Sequence, residues 1–233
     1  MLIGHEAINS LRKKHIYIAG IGGVGSYTAE ALARGGIGKF TLHDADTVSL
    51  SNINRQLVAL HSTINRPKTE VMKERILDIN PRCEVVTRND FMRVDSMEGV
   101  LQGHYDAVVD AIDVLNCKRA FLVHAYQKGY RIYSSMGAGN RTDPTQVTSG
   151  DLFKSHGCRL AKVLRKYLRR DGIRVGIQAV WSTEARLFPD LEDVETDYDR
   201  LPQGSISTIP ALFGIMLAGL VIKDIIDETK ESQ

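Results

Sequence analysis

Short β-branched runs alternate with stretches of helical periodicity through the first half of the chain, as in βαβ units around a parallel sheet. His15 to Ala19 reads as an apolar strand, Val24 to Ala33 has helical spacing, and Lys39 to Asp44 is a second strand. A helix is predicted from Arg66-Pro67, where proline suits a first turn, through Val71, Ile76 and Ile79 to a stop at Asn80-Pro81. Cys83 to Thr87 and Tyr105 to Ala111 are the third and fourth strands, followed by a helix over Leu115 to Lys128 and a fifth strand over Tyr130 to Ser135.

Beyond Ser135 the alternation stops. Met136 to Pro144 is rich in Gly and turn residues, a basic helix follows, and Gly172 to Ser182 reads as another strand. Leu187 to Ser207 is acidic and aperiodic, long enough to be a functional loop. Ile209 to Ile226 is strongly apolar and approaches the ~20 residues of a membrane span. Pro210 and Lys223-Asp224 interrupt it and no aromatic belt flanks it, so a buried core or dimer helix is expected, without membrane association.

Composition narrows the class without naming a partner. Of 233 residues 43% are hydrophobic and 25% charged, which excludes disordered, collagenous and coiled-coil chains. Cys83, Cys117 and Cys158 form no CxxC, arguing against a disulfide scaffold or two-knuckle zinc site and for a reducing cytoplasm. The N-terminus has no basic run ahead of an apolar stretch, so no secretory signal is expected. The net charge of +2 conceals a polarity: residues 154–174 carry eight Lys/Arg against Asp171, a local +7, while residues 175–233 sum to −7.

The chemistry begins at Gly20, Gly22, Gly23 and Gly25, which follow the first strand and open a helix as GxGGxG. Glycines there permit a sharp turn and close approach of a phosphate to unpaired N–H groups. Asp44 ends the next strand, where a ribose-binding carboxylate belongs, and to this point NAD fits as readily as ATP. The polar run from Asp44 through Asp46, Ser51, Asn52, Arg55 and Gln56, followed by Lys68, shifts the balance. Hydride transfer has no use for cations beside the dinucleotide, whereas nucleotidyl transfer needs them on a triphosphate. Asp110 and Asp113 then form an acidic pair at the carboxyl end of the sheet, where one carboxylate could hold Mg²⁺. The expected fold is α/β, a Rossmann-like doubly wound, mainly parallel sheet with extra C-terminal strands and a terminal apolar helix. Residues 1–150 would form the nucleotide-binding core, with the basic helix, acidic loop and last helix of 151–233 packed on the same domain.

GIGGVGS (Gly20 to Ser26), DADTVSLSNINRQ (Asp44 to Gln56), RPK (Arg66 to Lys68) and DAID (Asp110 to Asp113) resemble, in order and spacing, the ubiquitin-activating-enzyme-like (ThiF/MoeB-type) adenylyltransferases. The resemblance implies ATP and Mg²⁺ as cofactors, with Gly20, Gly22, Gly23 and Gly25 at the nucleotide and Asp44 on the ribose. It places Asn52, Arg55 and Lys68 on the phosphates, Ser51 and Gln56 among the cofactor-binding residues and Asp113 on the metal, and makes Arg55, Lys68 and Asp113 catalytic. Lys118, SSMGAGNRTDPTQV (Ser134 to Val147), the basic stretch and VWSTE (Val180 to Glu184) extend the similarity to the tRNA threonylcarbamoyladenosine dehydratase subgroup. That subgroup adenylates the threonyl carboxylate of a modified adenosine beside the tRNA anticodon, which then cyclises with loss of water. Homodimerisation follows from the same resemblance.

Two departures accompany it. Relatives open with a basic segment that supplies an arginine to the partner subunit's nucleotide; this sequence opens Met1-Leu2-Ile3-Gly4, so that arginine is expected to be missing or its role moved. Gly204 to Pro210 also lacks the cysteine of some members.

In the basic stretch, Leu160, Val163, Leu164, Tyr167 and Leu168 mark an apolar face, leaving Arg159, Lys162, Arg165, Lys166, Arg169 and Arg170 on the other as the expected tRNA contact. The alternative for these cations is a solvated face or pairing with the acidic 190–199 stretch. Cys158 is the one cysteine placed for a crossover thiol, and a surface cysteine is expected there. Two other functions compete with the dehydratase: activation of the C-terminus of a ubiquitin-like or sulfur-carrier protein, and a non-catalytic nucleotide-binding scaffold that docks tRNA, a cysteine desulfurase or a sulfur acceptor.

Overall fold

A computed structural model describes residues 2–185 and 204–231. The elements in chain order are α1 (Gly4–Lys13), β1 (His15–Ala19), α2 (Gly25–Gly35), β2 (Lys39–His43), α3 (Lys68–Ile79), β3 (Glu84–Arg88) and β4 (Ala107–Asp110). They continue with α4 (Leu115–Gln127), β5 (Ile132–Ser135), β6 (Val147–Asp151), α5 (Arg159–Arg170), β7 (Ile177–Ser182) and α6 (Thr208–Glu231). Seven strands form one sheet in the order β3-β2-β1-β4-β5-β7-β6. Every pairing is parallel except β6 with β7. This is the expected α/β doubly wound sheet.

Alternation along β1 shows why two layers of helices cover it. Ile16 and Ile18 join a core with α1, α2, α3 and α6, whereas Tyr17 and Ala19 point into a second core with α4 and α5. Both faces of β4 and β5 are buried along their whole length, so these strands carry almost no polar side chains until their ends. Strands are added outward on one side of β1 up to β3 and on its other side from β4 onward, and the register sets Ala19 beside both His43 and Asp110. The segments beginning at Gly20, Asp44 and Ala111 therefore leave the sheet side by side, at the switch point where such folds open a crevice.

Several boundaries differ from the sequence reading for identifiable reasons. α1 lies ahead of the first strand of the sequence reading and buries Ala7 and Leu11 on one face. Pro67 caps α3 from outside, with ψ near 131°, instead of occupying its first turn. β6, with the sequence VTSGD, is a half-buried edge strand that neither alternation nor β propensity marks. β7 begins at Ile177 because Gly172 and Gly176 both adopt positive φ and make a turn. Of the acidic loop, residues 187–203 lie outside the described residues.

α6 has the length and hydropathy of a membrane span. One side of it is core: Phe213, Leu217, Ala218, Val221 and Ile225 are buried, and Thr28 Oγ1 of α2 donates to the Gly214 carbonyl at 3.1 Å. A Cβ at Gly214 would stand 2.8 Å from that of Tyr27 and press on the α2 backbone, whereas one at Gly219 would meet nothing within 4 Å. Gly214→Ala is therefore expected to lower stability by about 1–3 kcal/mol through overpacking. Gly219→Ala should raise it by up to about 1 kcal/mol through helix propensity. Urea midpoints at unchanged m-value test both; equal shifts would mean that the α2–α6 approach is not as close as described.

Candidate active site

The glycine loop is shaped by what its neighbours leave no room for. Gly20 adopts φ +89°, and a Cβ there would lie 2.7 Å from the Ala111 carbonyl oxygen. At Gly25 a Cβ would strike the Gly20 carbonyl. These two glycines let β1, β4 and α2 converge; Gly25 is buried in that packing and is not on the cleft wall. Gly20, Gly22, Gly23 and Val24 do line a cleft of about 630 Å³. α2 begins there without a side-chain cap, so its first N–H groups favour an anion. Asp44 closes the loop from the opposite side: its carboxylate accepts from Ile21 N at 2.6 Å and Asp46 N at 2.9 Å.

The polar stretch after β2 wraps the cleft. Asn52 is buried, its Oδ1 accepting from Ser49 N at 3.1 Å, and Arg55 is held by the Ser51 carbonyl and Asn54 Oδ1, each at 2.9 Å. Gln56 is 7% exposed and its Oε1 has no hydrogen-bond partner. Asn52, Arg55, Gln56 and Lys68 all line the cleft, whereas Ser51 does not: it steadies Arg55 through its backbone and shares a hydrogen bond with Ser49. Lys68 is only 5% exposed and its ammonium lies 2.7 Å from the carboxylate of the exposed Asp46. Asp46 thus pairs with a buried cation beside the cleft and fixes its position, a role the sequence did not isolate.

The acidic pair at the end of β4 divides into two roles. Asp110 is fully buried, 2.6 Å from the equally buried Lys118 Nζ, and accepts also from Ser134 Oγ and Ile112 N. Burial pushes its carboxyl upward, against the pull of Lys118. Asp113 is exposed and lines the cleft. No group of three or more His, Cys, Asp or Glu side chains among the described residues could hold a metal by itself.

Further wall residues carry no motif. Phe91, 68% exposed, and Met92 lie between β3 and β4, and Cys117 lines the cleft from α4 with its thiol on the Met92 carbonyl at 3.2 Å. Burial pushes the Cys117 thiol up to about 11. His43, buried behind the wall, has Nε2 2.8 Å from the Asp90 carbonyl and Nδ1 against the Tyr17 hydroxyl. Because a carbonyl only accepts, Nε2 carries the proton and Tyr17 donates to Nδ1. Burial lowers the His43 pKa, in keeping with this neutral ring.

α5 starts at the cleft: Leu160, in its first turn, is part of the wall. Arg159, Lys162, Lys166, Arg169 and Arg170 are exposed, whereas Arg165 is half-buried and donates to Ser155 Oγ. Cys158, expected at the surface, is 4% exposed; its side chain packs into the second core just ahead of α5.

The whole chain, residues 1–233, matches the model of the ThiF family. The tRNA threonylcarbamoyladenosine dehydratase of Bacillus subtilis is 37% identical over 237 residues, spanning 98% of this chain and 93% of its own. The crystal structure of Escherichia coli tRNA N6-threonylcarbamoyladenosine dehydratase, TcdA, in complex with ATP superposes with a TM-score of 0.90 at 35% identity, covering 100% of this chain and 93% of that one. The molybdopterin-synthase adenylyltransferase of E. coli is 36% identical over only 47% of this chain. With its glycine loop, Asp44, Arg55, Lys68 and Asp113 arranged as described and the match running from end to end, this chain belongs to the ThiF family.

Proposed function

We propose that this chain is an ATP-dependent tRNA threonylcarbamoyladenosine dehydratase, a cytoplasmic enzyme that adenylates the threonyl carboxylate and lets the activated group cyclise. One observation carries the reading: likeness to the dehydratases continues through β6, α5, β7 and α6, while likeness to the molybdopterin-synthase adenylyltransferase spans about half the chain.

A carboxylate is a poor electrophile because oxide is a poor leaving group. Its attack on the α-phosphate of ATP releases pyrophosphate and leaves an acyl adenylate. A nitrogen of the carbamoyl linkage then attacks the acyl carbon, AMP departs with the former carboxylate oxygen, and the nucleoside is lighter by one water. The protein's task is alignment and charge neutralisation. In this reading the loop at Gly22 and Gly23 cradles the phosphates, Asp44 takes the ribose, and Asn52, Arg55 and Gln56 surround the triphosphate, Arg55 being held in place by Ser51. Lys68 exchanges Asp46 for phosphate oxygen. The donor set fits Mg²⁺, which is commonly held by one or two carboxylates plus substrate phosphates: Asp113 is the free carboxylate on the wall. The metal would add positive charge at the phosphates.

No protein nucleophile is required, and the thiols suit that. Cys117 is the one at the cleft, and with its pKa at about 11 it holds almost no thiolate at neutral pH. The expected assembly is a homodimer through the outer face of α6, where Ile215 is 52% exposed.

Incubation with ATP, Mg²⁺ and tRNA bearing threonylcarbamoyladenosine should yield a nucleoside lighter by one water in mass spectrometry; an unchanged mass with folded protein overturns the proposal. Lys68→Ala should cut kcat on the order of 10²- to 10³-fold, as loss of a transition-state charge partner does. Cys117→Ser should stay within about ten-fold of the parent, since the thiol is not the nucleophile; a complete loss would favour carrier activation with thiol transfer. Lys162→Glu with Lys166→Glu should weaken tRNA binding and flatten its salt dependence by roughly 0.7–0.9 log units per lost phosphate contact.

A further inference from the structure

Besides its charges, the outer side of α5 holds three guanidinium groups laid over aromatic rings. The Arg169 guanidinium carbon lies over the Phe153 ring at 5.5 Å from its centroid. Arg119, from α4, and Arg170 both lie over Tyr167, at 5.3 and 5.9 Å. Arg119 is held a second time, by a two-pronged ion pair with Asp171 in which Nε donates to Oδ2 at 2.7 Å. The pair uses its Nε and Nη2 donors and fixes the plane of the guanidinium, so Arg119 stiffens the Tyr167 platform. Arg169 and Arg170 are exposed, each with one face turned to a ring.

We propose that Arg169 on Phe153, and Arg170 with Arg119 on Tyr167, form a stacking platform for unpaired bases of an RNA loop, and that this platform selects single-stranded over duplex RNA. The inference rests on the dehydratase reading for its partner and deepens it. Single-stranded RNA is recognised by splaying bases onto aromatic rings and guanidinium planes, whereas duplex RNA hides those faces in its own stack. Holding the guanidinium groups over rings removes part of the ordering cost when a base arrives. Exposed Lys162 and Lys166 supply backbone attraction along the same helix. Leu160, at the cleft, lies about 15 Å along the helix axis from Arg170, at 1.5 Å per residue. Bases held at the platform would leave a neighbouring nucleotide within reach of the nucleotide cleft, so one strand can be gripped at one end of α5 and modified at the other.

Charge-conserving substitution separates stacking from electrostatics, because lysine keeps the charge but not the plane. The full-length protein and its Arg169→Lys/Arg170→Lys variant are titrated over a salt series with an anticodon stem-loop RNA carrying 2-aminopurine in the loop, and with a blunt RNA duplex. The parent should bind the stem-loop more tightly than the duplex and change the 2-aminopurine fluorescence. The variant should lose on the order of ten-fold in stem-loop affinity and most of the fluorescence change, with the salt slope and duplex affinity unaltered. Phe153→Leu should act in the same direction, with circular dichroism verifying its fold. Equal stem-loop binding and fluorescence in parent and lysine variant, no preference for the stem-loop, or no binding to either RNA overturns the platform. If the parent dehydrates modified tRNA while the lysine variant binds the stem-loop as the parent does, the platform fails and the dehydratase stands. If the stacking signature appears without dehydration, the platform stands and the dehydratase fails.

Discussion

The cleft depends on a buried ion pair, Asp110 with Lys118. Asp110 ends β4 and accepts from Lys118, from Ser134 on β5 and from Ile112 N, while Lys118 also donates to the Ile112 carbonyl at 3.0 Å. Taking both charges out of water costs several kcal/mol per ion before their attraction is counted, so the pair is poor evidence for stability. Its geometric consequence is definite. It ties residues 110–112 to α4 and β5, sets the Ala111 carbonyl against Gly20, and turns Asp113 toward the cleft. The approach between β1 and β4 that only glycine permits is thereby matched on the β4 side by a strut of charges.

The remaining polar groups divide between supports and groups left available. His43, neutral and hydrogen-bonded on both nitrogens, supports the Asp90 end of the wall that continues into Phe91 and Met92. Asp46 and Ser51 steady Lys68 and Arg55. Available to a ligand are the uncapped start of α2, the unpartnered Gln56 oxygen and the exposed Asp113. Such a site suits chemistry that runs on fixed charge and alignment, and its one wall thiol is pushed away from reactivity by the same burial that shapes the wall.

Much of the site was legible because its constraints are local. A glycine needed for φ +89° at Gly20, a strand end at Asp44 and a helix start within one residue of Pro67 each show within a few residues of sequence. β6 was not legible, because an edge strand with intermediate burial has no alternation to display. α1 is short and polar on average, and only Ala7 and Leu11 of its ten residues are buried. Cys158 was misplaced because the residue leading into a basic helix looks solvent-facing until Leu160 and the second core are packed against it. Phe91 and Met92 carry no motif, since they reach the wall only through the fold of the β3–β4 connection, and Cys117 joins them only because α4 packs against that connection.

The alternating α/β plan, the order of the phosphate, ribose and cation motifs, and the charged face of α5 are written locally in the chain, because helical and strand periods and glycine geometry act over short range. Tertiary structure decided which member of each pair does what. Asp110 became a strut and Asp113 a cleft carboxylate because a side chain three residues on emerges past the strand end, where Lys118 no longer reaches it. Ser51 became a support while Asn52 lines the cleft, since neighbours in a tight turn point apart. Arg169 and Arg119 became partners of Phe153, Tyr167 and Asp171 only after α4, α5 and the segment behind β6 were packed together. These contacts join residues up to 52 positions apart in the chain, beyond the range over which local periodicity carries information.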